Sequence, residues 1–173
     1  MRELILGGAR SGKSRLARRR AEASGLAVTC IVTATAGDSE MAERIAHHQA
    51  ERPAEWLVVE EPMALSAALA EHAAPDRCLL VDCLTLWLNN CLADGADTTF
   101  ALQRQALLET LPRLPGEIVL VGNEIGLGVV PMGRLTRQFV DENGRLHQDI
   151  AARCERVTLC VAGLPMTLKG ELA

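Results

Sequence analysis

The sequence predicts an α/β fold in which one mostly parallel, doubly wound sheet is flanked by helices. Three observations predict it. Short apolar runs alternate with longer helical patterns from end to end, the order that strand–helix–strand units require. Apolar residues make up 49% of the chain and aromatic residues only 2% (Trp56, Trp87, Phe100 and Phe139, with no tyrosine). Such a core is built from Leu, Val, Ile and Ala, which suits buried parallel strands covered by helices. Finally, a glycine-rich turn joins the first apolar run to the first helical pattern.

Each element follows from a local pattern. Glu3–Leu6 is the first strand, and a helix runs from Lys13 to about Ala23 after the glycine turn. Val28–Thr33 is the second strand. Ser39–Glu51 reads as a helix because Met41, Ile45 and His48 recur on one face. Trp56–Val59 is a short strand, and Pro62 is expected to open a helix through His72. Cys78–Val81 is a buried strand ending in Asp82, followed by helices over Thr85–Leu92 and Thr99–Leu111. Ile118–Val121 is another buried strand, ending at Gly122-Asn123-Glu124. Leu135–Arg153 contains a helix whose inner boundary falls near Asn143-Gly144, and Val157–Val161 is the last strand expected. A length of 173 residues with no repeat, low-complexity tract or long linker is read as a single domain.

Charge and cysteines exclude several classes. The net charge of −4 and the pI near 5.6 argue against a nucleic-acid binder, which carries a basic face. Arg18, Arg19 and Arg20 point in different directions on a helix and read as a solvated face. Six cysteines (Cys30, Cys78, Cys83, Cys91, Cys154, Cys160) show no CxxC pair or zinc spacing and read as buried thiols in a reducing compartment. The first residues run straight into a strand, and no apolar stretch approaches a membrane span. A cytoplasmic protein is expected.

Gly7-Gly8-Ala9-Arg10-Ser11-Gly12-Lys13-Ser14 matches GxxxxGK[ST] at every required position. Gly7 and Gly12 let the backbone turn tightly, so that successive N–H groups face phosphate oxygens. The helix that follows adds its positive end. Lys13 is placed to reach the β and γ phosphates and Ser14 to ligate Mg²⁺. With a strand before it and a helix after it, the motif specifies a P-loop NTPase fold. A second acid on the magnesium side belongs at the end of another buried strand. Asp82 is the first candidate, although it also reads as a cap for the next helix, and Glu124 is a competitor at the same kind of strand end.

The chain lacks the NKxD guanine-reading signature of small GTPases and the long arginine-rich lid of nucleoside-monophosphate kinases. It has instead a histidine pair in Arg44-Ile45-Ala46-His47-His48-Gln49-Ala50-Glu51-Arg52-Pro53. A neutral imidazole attacks phosphorus near pH 7 and leaves a phosphoramidate that still reacts. Adjacent helical positions diverge and no third ligand is evident, so the pair does not read as a metal site.

Four segments in order carry a resemblance: GGARSGKS, Glu40–His48 running on to Arg52-Pro53-Ala54-Glu55-Trp56, the strand end Val81-Asp82-Cys83-Leu84-Thr85, and Asn123–Pro131. Together they resemble the bifunctional adenosylcobinamide kinase/adenosylcobinamide-phosphate guanylyltransferase family (CobU/CobP) over nearly the whole chain. The resemblance implies two reactions. ATP or GTP phosphorylates the aminopropanol hydroxyl of adenosylcobinamide, and GTP then passes GMP through an enzyme histidine to adenosylcobinamide phosphate. The family's guanylylated histidine maps to His48, with His47 as its neighbour. His48 shares the face of Met41 and Ile45, whereas His47 is rotated by about 100°.

The resemblance also implies nucleotide contacts from Thr33, Ala34 and Thr35, from Gln49, Ala50, Glu51 and Arg52, and from Glu60 and Asp82. Where the family often has glutamate, the shorter Asp82 calls for a water between it and Mg²⁺. A homotrimer is implied as well. Asn123–Pro131 is either a wall of the corrinoid site or a subunit contact, and His72 and His147 are expected at the surface. The rival readings are a monofunctional P-loop small-molecule kinase without a covalent step and a GTP-dependent regulator.

Overall fold

The computed structural model describes residues 1–35, 52–93 and 98–170. The helix expected over Ser39–Glu51, with His47 and His48, lies outside the described residues. In chain order the elements are β1 (Arg2–Gly7), α1 (Lys13–Ala23), β2 (Ala27–Val32), β3 (Leu57–Glu60), α2 (Leu65–His72), β4 (Arg77–Asp82), α3 (Leu84–Ala93), α4 (Thr99–Thr110), β5 (Glu117–Asn123), α5 (Arg134–Arg153), β6 (Arg156–Val161) and β7 (Leu164–Lys169). The strands form one seven-stranded sheet in the order β3-β2-β4-β5-β1-β6-β7. All neighbours are parallel except β6 and β7. This is the mostly parallel α/β sheet that the sequence predicts.

The apolar runs are buried on both faces because the pleat sends alternate residues to opposite sides. Leu4, Leu6, Leu79, Val81, Ile118 and Leu120 pack into one core with α2, α3, α4 and α5. Ile5, Cys78, Leu80, Val119 and Val121 face a second core with Ala17 and Ala21 of α1. Trp87, fully buried, anchors the larger core: its Nε1 donates to the Met63 carbonyl at 2.8 Å, and its ring meets Phe100 edge-on at 5.9 Å. All six cysteines are buried thiols outside any disulfide. Among the described residues no helix is long and apolar enough to cross a membrane.

Four expectations are corrected. Val157–Val161 is not the last strand: β7 returns antiparallel beside β6 after the two-residue turn Ala162-Gly163, both at positive φ (52° and 79°). Pro62 does not open α2, which begins at Leu65, because the Glu61 carboxylate accepts the Met63 and Ala64 N–H groups at 2.8 and 2.7 Å. Helix α5 runs unbroken through Asn143-Gly144, since Asn143, Leu146, His147 and Ile150 form one buried stripe at helical spacing. Packing of that stripe offsets the cost of an internal glycine, about 1 kcal/mol.

Of the three arginines of α1, Arg20 is not simply solvated: its Nε lies 3.4 Å from Glu3 Oε2, a carboxylate 1% exposed. Glu3 also accepts from Thr158 at 2.8 Å, so the cluster ties α1 to β1 and β6.

Candidate active site

The site is assembled at the carboxyl end of the sheet. Gly7 ends β1, and α1 starts at Lys13, so residues 8–12 form the connecting loop. Two positions in it have positive φ, Arg10 at 54° and Gly12 at 93°. Gly7 is required for space, since a Cβ there would sit 2.6 Å from the Cys160 carbonyl and closer still to the Ser11 hydroxyl. Ser11 Oγ is itself buried without a hydrogen-bond partner. Gly12 caps α1 with no side-chain bond, and the first turn of α1 has no acid, so its backbone donors and its positive end stay open to an anion. The Lys13 ammonium rests on the Gly8 carbonyl at 3.1 Å.

The ends of three strands line up here. β5 lies between β1 and β4, with Gly7 level with Asn123 and Asp82 level with Val121. Two strand spacings of about 4.8 Å across the sheet, and two residues of about 3.3 Å each along it, therefore separate the backbones of Gly7 and Asp82. Glu124 follows Asn123, and its N–H donates to the Gly7 carbonyl at 3.0 Å. The topology thus brings Glu124, the competitor, to the strand adjoining the phosphate loop. Lys13 and Asp82 both act on the Cys83 thiol: burial first, then the Asp82 charge, push its pKa up to about 12 against the opposing charge of Lys13. The peptide Asp82–Cys83 is cis.

The remaining predicted contacts divide. Thr33 is fully buried, and its hydroxyl is committed to Cys83, donating to the carbonyl at 2.7 Å and accepting from the N–H at 3.0 Å. Ala34 and Thr35 follow it outward, half-buried and exposed, and they are the members of that trio free to meet a nucleotide. Glu60 ends β3 opposite Val32 and is exposed. Arg52 is half-buried. Gln49, Ala50, Glu51 and His48 lie outside the described residues. No group of three or more His, Cys, Asp or Glu is arranged to hold a metal among the described residues. Ser14 and Asp82 are nevertheless hard oxygen donors of the kind Mg²⁺ takes alongside phosphate and water.

His147 corrects the surface expectation. It is 5% exposed, and burial lowers its pKa to about 4, so the ring is neutral. His147 Nδ1 lies 3.5 Å from Asn143 Nδ2, which donates to the Asn123 carbonyl at 3.0 Å. Thr85 completes the set, donating to Asn143 Oδ1 at 3.1 Å and accepting from the Asn123 N–H at 2.8 Å. Sequence reasoning missed this network, although the spacing of Asn143, Leu146, His147 and Ile150 carries its signal.

Nearly the whole chain matches a known family. Residues 3–168 match the family model described as cobinamide kinase / cobinamide phosphate guanyltransferase (CobU). The chain belongs to this family.

A bifunctional adenosylcobalamin biosynthesis protein CobP from Pseudomonas aeruginosa is 64% identical, with 99% of each chain covered. The CobU proteins of Salmonella typhimurium and Escherichia coli are 38% and 37% identical, each match covering 96% of this chain and 98% of theirs. Solved structures share the fold at low identity. They include the RadB recombinase (TM-score 0.52, 14% identity, 91% of this chain and 73% of that one). A Pyrococcus horikoshii protein, PH0250, gives a TM-score of 0.55 at 9% identity, covering 98% and 86%. The CobU-family chain is accordingly an enzyme of adenosylcobalamin biosynthesis, a cobinamide kinase and cobinamide phosphate guanyltransferase with a nucleotide-binding P-loop fold.

Proposed function

We propose that this enzyme uses one phosphate cradle, Gly7–Ser14, for two transfers. In the first, the aminopropanol hydroxyl of adenosylcobinamide attacks the γ-phosphorus of ATP or GTP and releases the nucleoside diphosphate. In the second, the His48 imidazole attacks the α-phosphorus of GTP and expels pyrophosphate. A phosphate oxygen of adenosylcobinamide phosphate then attacks the guanylyl phosphorus, the P–N bond breaks, and adenosylcobinamide-GDP leaves with the histidine restored.

The observation that carries this reading is the open cradle. Its helix end has no side-chain cap, and among the described residues its lysine donates only to the Gly8 carbonyl. A triphosphate offers that ammonium a charged partner, and Lys13 moves onto the β and γ oxygens as charge develops there. Ser14 and Asp82 would hold Mg²⁺, which when bound neutralises the phosphate oxygens. Ala34, Thr35, Glu60 and residues 49–52 line the nucleotide's flank in this proposal, with Thr33 bracing the strand end beneath them. Residues 1–173 act as one catalytic domain.

Adenosylcobinamide is proposed to lie over Asn123–Pro131, whose root is bonded to Gly7. The resemblance extends the proposal to a cytoplasmic homotrimer, and the exposed Leu164, Met166 and Leu168 of β7 offer apolar surface to bury in it.

The covalent step is tested with GTP labelled at the α-phosphate. Wild type retains an acid-labile, alkali-stable label, and His48→Ala does not. Equal labelling of the two proteins sinks the assignment, and no label on wild type leaves the monofunctional kinase as the reading.

A further inference from the structure

The β6–β7 hairpin lies outside the site expected from the sequence, yet the phosphate loop rests on it. The Ser11 carbonyl accepts two bonds from it, one from the Gly163 N–H at 2.8 Å and one from the Cys160 thiol at 3.1 Å. The packing is close: a Cβ on Gly12 would meet Gly163 Cα at 3.1 Å and Cys160 Sγ at 3.6 Å. Cys160 is 1% exposed, so its thiol has no water to donate to instead. Gly163 reaches the loop because the turn places both of its residues at positive φ.

We propose that this hairpin is a brace that orients the Ser11–Gly12 peptide for phosphate binding, with Cys160 and Gly163 as positioning residues. A trans peptide points its carbonyl and its next N–H in opposite directions. Holding the Ser11 carbonyl on the hairpin therefore aims the Gly12 N–H away from it, into the hollow of the loop where Lys13 lies over Gly8. Gly12, at φ 93°, has no Cβ to resist a flip of this peptide, so the restraint comes from outside the loop. The two donors on a single oxygen supply it.

The proposal rests on the reading of Gly7–Ser14 as a triphosphate cradle, and the test separates the two. GTP and inorganic tripolyphosphate are titrated calorimetrically into the full-length wild type, Cys160→Ala, Cys160→Ser and Lys13→Ala. Loss of the thiol donor in Cys160→Ala weakens both ligands about three- to tenfold, the usual range for one hydrogen bond. Cys160→Ser keeps a donor and binds within about twofold of wild type. Wild-type affinity in Cys160→Ala, or a Cys160→Ser as weak as Cys160→Ala, overturns the brace while Lys13→Ala still reports on the cradle. Wild-type affinity in Lys13→Ala overturns the cradle and the brace with it. Should Cys160→Ala not fold, hydrogen exchange of the Gly163 amide in wild type decides: protection that deepens with GTP supports the brace, and exchange at the rate of an open turn refutes it.

Discussion

The loops that leave the neighbouring strands β1 and β5 are held in opposite ways. The phosphate loop is fixed along its length, by the hairpin on Ser11 and by the bond from the Ser11 N–H to the Gly8 carbonyl at 3.3 Å. Among the described residues, the loop after Asn123 is fixed only at its ends. Glu124 bonds to Gly7, the Gly126 N–H donates to Glu124 Oε1 at 2.6 Å, and the Arg137 guanidinium holds the Pro131 carbonyl at 3.1 Å. Between these points Leu127, Val129 and Val130 are 73–95% exposed, and so is Met132 just past Pro131, although its carbonyl also accepts from Arg137. A triphosphate presents the same small anion every time, and a rigid set of donors recognises it without reorganisation. Apolar side chains left in water mark a surface completed by something large.

The comparison breaks most visibly at the strand end beside the cradle. Asp82→Asn keeps the shape and removes the charge, and it is expected to lower both transfers by roughly 100-fold while GTP still binds. Steady-state rates across a magnesium titration check this. A smaller effect belongs to the second loop. Replacing Val129 and Met132 together by serine is expected to raise KM for adenosylcobinamide phosphate about fivefold, a loss of roughly 1 kcal/mol of apolar contact, with GTP labelling unchanged. A changed sedimentation coefficient with unchanged KM would assign the loop to a subunit contact instead.

An effect on stability rather than on rate lies at the joint between the two loops, where His147 packs under Gly122. Its pKa is about 4 in the folded protein and near 6.5 in the unfolded chain, so the unfolded chain takes the proton first as pH falls. Stability is therefore lost between pH 6.5 and 4, by on the order of 2 kcal/mol at pH 5, and nothing changes above 6.5. Urea unfolding at pH 7 and pH 5 measures it, and His147→Gln is expected to flatten the difference.

The parallel strands were legible because each is a short apolar run, and the phosphate loop because its motif fixes backbone and chemistry together. β7 was hidden for physical reasons. Pro165 interrupts its run, tolerable only because the strand is an edge, and Ala162-Gly163 lacks the Asn-Gly or Asp-Gly signature of its turn. The burial of His147 was readable from the stripe it shares with Leu146 and Ile150, but histidine's polarity argued the other way. The contacts of Cys160 and Thr33 left no trace in the sequence. They join residues 149 and 50 positions apart and exist only once the sheet is ordered.

On the proposed reading one cradle serves two transfers, and only the second needs the histidine. The direct measurement is the kinase assay and the GTP-labelling assay run side by side on Lys13→Ala and His48→Ala. Lys13→Ala is expected to lose both activities, by roughly 100-fold or more. His48→Ala is expected to lose the label and the guanylyl transfer while phosphorylating adenosylcobinamide at close to the wild-type rate. A Lys13→Ala enzyme that loses one activity and keeps the other would contradict the shared cradle.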